Sequence, residues 1–153
     1  MRVLGIDYGQ RRIGLALSDA TGLLARPWKT IERVGNPAQV AASLSAEAVA
    51  LSREDDGLEA IVVGYPRRLN GQDNDQSAIV RELAEHLRRL SPLPLHLQDE
   101  RLSSREAESR LARDERDWRK RKAQLDAASA AIILQDFLDG RRAHPDDDGE
   151  ELA

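Results

Sequence analysis

Arg2–Asp19 reads RVLGIDYGQRRIGLALSD, and this stretch decides the fold. Val3, Leu4 and Ile6 form a short apolar run that stops at Asp7. Tyr8-Gly9-Gln10-Arg11-Arg12 then supplies turn chemistry, with Gly9 free to take positive φ. Ile13, Leu15 and Leu17 alternate with Gly14, Ala16 and Ser18, small residues that suit close packing on the other face. The stretch therefore reads as strand, turn, strand. Asp7 sits where a buried strand surfaces, a place suited either to a catalytic group or to capping the turn.

Working outward, Leu23 to Ile31 reads as a third strand, at an edge because Pro27 cannot donate to a ladder. Asn36-Pro37 starts a helix whose Val40, Leu44, Ala48 and Leu51 make an apolar stripe to about Arg53. Ala60–Gly64 (AIVVG) is short, β-branched and unalternated, as in a central parallel strand. The polar loop YPRRLNGQDNDQ follows, then a helix from about Asp75 to Leu90 with Ile79, Val80, Leu83, Leu87 and Leu90 on its buried face. Leu93 to Gln98 is another strand, followed by Asp99-Glu100-Arg101. Ser103–Glu106 has the pattern of a capping box, so a helix is expected there, running into the basic end of DERDWRKRK. A last helix is expected over about Gln124 to Leu138. Three early antiparallel strands followed by βα units predict an α/β fold, a mixed five-stranded sheet flanked by helices.

Composition narrows the function. The 153 residues suit one domain, and the absence of cysteine excludes disulfides, thiolate metal sites and a cysteine nucleophile. It is compatible with a reducing cytoplasm. No signal-peptide pattern opens the chain and no stretch approaches a membrane span. The formal charge of −4 hides an asymmetry: residues 143–153 (AHPDDDGEELA) hold five acids and no Lys or Arg, leaving residues 1–142 at +1. Residues 1–142 are expected to form the domain, and residues 143–153 a disordered acidic tail. A mildly basic body is compatible with a polyanionic partner. Monomer and homodimer both stay open.

Three carboxylates carry the chemical argument. Asp7 closes the first strand, Glu100 follows the last, and Asp126 opens the final helix in line with Ala130, Ile133 and Phe137 on its apolar stripe. A carboxylate there is costly unless paired or bound to metal. If the three converge, oxygen-only ligation favours Mg²⁺ or Mn²⁺, ions suited to cleaving phosphodiesters. Arg11, Arg12, Arg67, Arg68, Arg101 and Arg119-Lys120-Arg121-Lys122 fall in turns, loops or helix junctions near that rim, where they would neutralise phosphates, and Trp118 would stack on a base. A solvated face is the plainer account of the basic run. His86, His96 and His144 have no ligand-like spacing.

Four ordered segments, GIDYGQRRIGLALSD, IVVGYPRRLNG, QDERLSSREAE and KAQLDAASAAIILQDFLD, resemble the YqgF/RuvX family of pre-16S rRNA nucleases from Met1 to about Arg142. The resemblance implies a ribonuclease H-like fold related to RuvC-type resolvases. It implies a metal-dependent endonuclease with Asp7, Glu100 and Asp126 as catalytic and metal-binding acids, acting on the 5′ end of precursor 16S rRNA in the cytoplasm during ribosome biogenesis. Ser103-Ser104, Tyr65 and Gln10-Arg11 depart from the usual family residues without removing an acid. RuvC-type resolvases bring an acid from the central strand, whereas Val62–Tyr65 offers none, which makes Glu100 the substitute. Three other readings stand beside this one. The first is a Holliday junction resolvase acting on branched DNA. The second is a non-catalytic, RNA-binding assembly factor. The third is an ATPase with an actin-like phosphate hairpin, for whose paired domains the chain is too short.

Overall fold

The computed structural model describes residues 1–100 and 118–143, with the backbone alone for 118–125. Its elements are β1 (Arg2–Tyr8), β2 (Arg12–Ser18), β3 (Ala25–Glu32), α1 (Pro37–Ser52), β4 (Leu58–Tyr65), α2 (Ser77–Leu90), β5 (Leu95–Asp99) and α3 (Trp118–Ala143). The five strands form one sheet in the order β3-β2-β1-β4-β5. β1, β2 and β3 pair antiparallel, while β4 runs parallel to both β1 and β5. This is the expected mixed sheet, with the opening hairpin at its middle.

Strand alternation gives the sheet two unlike faces. Leu4, Ile6, Tyr8, Ile13, Leu15, Ile61, Val63 and Tyr65 point to one side, against Val40, Leu44, Val80, Leu83 and Leu87 of α1 and α2. The opposite face is built from small residues, with Val3, Ala16, Ala60 and Val62 packed against Ala130, Ile133, Leu134, Phe137 and Leu138 of α3. A β-carbon at Gly5 would lie 2.8 Å from Leu134 Cβ. The absent side chain lets α3 rest almost on the strand backbone.

Local chemistry explains most boundaries. Asn36 and Gln39 close a reciprocal capping box on α1, with Pro37 at its first position. β3 begins at Ala25, two residues later than expected, because the Leu23 and Leu24 N–H groups both donate to Asp19 Oδ1, at 2.9 and 3.2 Å. β3 is the edge, as Pro27 requires, and its ladder slips between Leu15 and Ala16. Gly9 does not take positive φ. It is needed there because a β-carbon would sit 2.5 Å from Arg12 O. Leu90 is exposed rather than buried, being the last residue of α2. α2 starts at Ser77, where Asn74 and Ser77 side chains tie the approach with Asn74 N–H donating to Ser77 Oγ at 2.9 Å.

The final helix is longer than expected. It is already formed at Trp118 and runs to Ala143, so Arg119–Lys122 lies in its first turns rather than at the close of a preceding helix, and Asp126 lies two turns inside it. The helix expected from Ser103, Arg101 and the acidic tail beyond Ala143 lie outside the described residues. Among the described residues no helix is long and apolar enough to cross a membrane.

Candidate active site

Asp7 stands on the α3 face of β1, between two glycines. Its partner across the antiparallel ladder is Gly14 on β2. On the other side the parallel register Ile6↔Val63 leads to Gly64 on β4. Neither neighbour has a side chain, so the floor around Asp7 is open to groups arriving from above. Glu100 arrives from β5: its N–H donates to Tyr65 O at 3.2 Å, and its carboxyl swings over Gly64, where a β-carbon would lie 2.7 Å from Glu100 Oε2. Asp126 arrives from α3: its carbonyl oxygen would lie 2.0 Å from a β-carbon on Gly14. Three acids distant in sequence thus share one end of the sheet because glycines at 14 and 64 leave room.

The Asp7 and Glu100 carboxyls hydrogen-bond each other, Glu100 holding the proton and donating. Burial pushes the Asp7 carboxyl up to about 6, moderated by that bond and raised further by the negative charge of Asp126. Burial also holds Glu100 well above the usual carboxylate range, with Asp7 and then Asp99 adding to the shift. Two carboxylates this close cannot both ionise easily without a cation. Asp126 is half-buried, and its Oδ2 lies 3.8 Å from Arg12 Nε. Among the described residues no three acids or imidazoles are already gathered as a complete metal-binding cluster. The donor set nevertheless fits a hard divalent cation: it is all oxygen, and its two inner members carry a shared proton that a cation would replace.

This arrangement has a consequence for stability. An acid whose folded-state pKa lies above its unfolded value binds a proton more tightly when folded, so its contribution is present at low pH and lost as pH rises. For Asp7 the window runs from its ordinary 3.8 to about 6. The metal-free protein is expected to lose roughly 3 kcal/mol across that window from this group. Denaturant melts at pH 4 and pH 7 check it; equal loss in Asp7→Asn would rule out the carboxyl as the source.

The basic residues divide into groups. Gly9, Gln10, Arg11, Arg12 and Asp126 line a cleft of about 450 Å³ beside the acids. Arg67 and Arg68 lie in the loop after β4, Arg68 exposed and Arg67 stacked 5.2 Å over the Tyr65 ring. Arg119, Lys120, Arg121 and Lys122 are placed by backbone alone, within two turns of Asp126. Arg101 lies outside the described residues. The sequence reading missed three residues at this end. Tyr8, read as turn, is the last residue of β1 and is buried, which pushes its phenol up and keeps it a donor. Arg33 lies 4.2 Å over the Tyr8 ring. Asp73 accepts the Tyr65 hydroxyl at 2.9 Å. Strand alternation gave the signal for Tyr8, since the neighbour of Asp7 must face the α1–α2 core. His96 packs on Phe137 with ring centroids 5.0 Å apart, away from any cluster of ligands.

A family model described as RuvX, Holliday junction resolvase, matches residues 1–140. The chain belongs to the RuvX family. Curated relatives agree with the RuvX match over nearly the whole length. A Nocardioides protein named "Putative pre-16S rRNA nuclease" is 42% identical over 144 residues, covering 92% of this chain and 88% of its own. A protein of the same name from Roseiflexus is 38% identical, covering 92% of this chain and 96% of its own. Among solved structures, Thermus thermophilus RuvC in complex with a Holliday junction substrate aligns with a TM-score of 0.52 at 17% identity, covering 93% of this chain and 96% of that one. That likeness identifies the RuvX-family sheet and its helices as ribonuclease H-like.

Proposed function

We propose that this protein is a metal-dependent endonuclease that hydrolyses phosphodiester bonds in precursor 16S rRNA, trimming its 5′ end in the cytoplasm. The observation that carries the reading is the Asp7–Glu100 pair, two half-buried carboxyls that hydrogen-bond each other and sit within the field of Asp126. A structural pair of this kind destabilises the fold at neutral pH, so its presence favours a functional role. Asp7, Glu100 and Asp126 would hold Mg²⁺ or Mn²⁺, which when bound supplies a hydroxide nucleophile at neutral pH and stabilises charge on the leaving oxygen. Arg11 and Arg12 line the adjoining cleft and would hold the flanking phosphates. Arg12 also holds Asp126 until substrate competes for its guanidinium. The relatives' names support RNA as substrate.

The family's description favours a second reading, cleavage of four-way DNA junctions. One assay separates them. Purified protein is incubated with Mg²⁺ or Mn²⁺ and either a 5′-extended 16S precursor or a synthetic four-way junction. Cutting of the precursor near the mature 5′ end, abolished by chelator and restored by metal, is the expected result. Symmetric nicking of the junction with the precursor left whole would replace the RNA reading. No cutting of either, with RNA still bound, would favour the non-catalytic assembly factor.

A further inference from the structure

Two tyrosine–arginine stacks stand at the catalytic end of the sheet, on the face away from α3. Tyr8 follows Asp7 on β1 and carries Arg33 at 4.2 Å from its ring centre. Tyr65 follows Gly64 on β4 and carries Arg67 at 5.2 Å. The two strands are parallel neighbours, and both rings belong to one buried cluster. Arg33 is held rigidly: its N–H donates to Arg11 O at 3.0 Å, and its Nη1 donates to Gly9 O at 3.1 Å. That ties it to the same turn that lines the active-site cleft.

Arg81 also stacks on Tyr65, but Asp73 neutralises it at 3.1 Å. Arg33 and Arg67 form no ion pair among the described residues. Glu82 on α2 is felt by the Tyr8 phenol yet makes no ion pair with Arg33. The Tyr8 hydroxyl is buried beside Arg33, which hydrogen-bonds it, and Arg67 Nε is buried without a hydrogen-bond partner among the described residues. Arg33 and Arg67 are half-exposed cations with no carboxylate partner among the described residues, so the partner they suit is anionic oxygen.

We infer that Arg33 and Arg67 form a second phosphate subsite for an RNA strand, opposite the Arg11–Arg12 cleft. The strand then crosses the end of the sheet, with the Asp7–Glu100 pair between its two points of attachment. Stacking presets each guanidinium, which favours a chain of regularly spaced phosphates. The RNA identity rests on the nuclease reading; the anion subsite does not.

The test is binding of a short fluorescein-labelled single-stranded RNA in chelator, by anisotropy across a salt series, so cleavage plays no part. Arg33→Gln and Arg67→Gln are each expected to weaken binding about tenfold and to lower the salt slope by about one. Arg33→Lys, which keeps charge but loses the fork, should retain the slope while losing affinity. Melting temperatures of the variants separate folding defects from lost contacts. Unchanged affinity and slope in the double glutamine variant would overturn the subsite even if the wild type cuts RNA normally. Equal loss of inorganic phosphate and RNA binding, with both equally tight in the wild type, would make it a small-anion site and overturn the strand.

Discussion

Asp7→Asn is expected to lower strand cleavage by roughly 10³-fold or more, while raising the melting temperature of the metal-free protein. The two effects have one origin. The Asp7 carboxyl is held up to about 6 by burial and by the negative charge of Asp126, so at neutral pH the fold carries a negative charge it would rather shed. Asparagine keeps the shape and still accepts a hydrogen bond from Glu100, but it has no charge to desolvate. The stability gained should approach the roughly 3 kcal/mol lost by the wild type on raising the pH. Addition of Mg²⁺ should stabilise the wild type and leave Asp7→Asn nearly unmoved, because the cation binds the folded acids alone. Glu100→Gln should lower cleavage to a similar extent. Cleavage at the wild-type rate in either variant would remove these acids from the chemistry; a lower melting temperature in Asp7→Asn would remove the shared-proton account.

Much of this arrangement was legible before any coordinates. The period-two pattern of Ile13–Leu17, with small residues between, declared both the hairpin and a close-packed second face, and Gly14 and Ala16 do lie under α3. Pro27 declared the edge. The three acids stood out because each ends or interrupts an apolar run. What the sequence concealed is what depends on register between strands. Nothing local says that Gly14 and Gly64 flank Asp7, since that follows only from β1 pairing with both β2 and β4. Nor does it say that Arg33, at the end of an edge strand, reaches back to stack on Tyr8. The last helix was underestimated because four consecutive cations look like an ending. In fact an amphipathic stripe farther along, Ala130 through Leu138, anchors the helix strongly enough for its polar start to be carried along.

The glycine floor can be tested by filling it. Gly14→Ala places a β-carbon 2.0 Å from the Asp126 carbonyl oxygen and 3.1 Å from the Ala127 nitrogen. These are backbone atoms of α3, so no rotamer change relieves the clash and the helix itself must lift. Overpacking of this sort costs about 1–3 kcal/mol, and the absence of any flexible partner puts this case at the upper end, near 3 kcal/mol. For a chain of this size that corresponds to a melting-temperature drop of roughly 10 °C. Lifting α3 also moves Asp126 away from Asp7, so cleavage should fall even at temperatures where the variant is folded. Gly140→Ala is the matched control: it lies in the same helix, nothing stands within 4 Å of the added carbon, and it should stabilise by about 0.5–1 kcal/mol through helix propensity alone. If Gly14→Ala melts and cuts like the wild type, α3 does not rest on β2, and the convergence of Asp126 with the other two acids is lost with it.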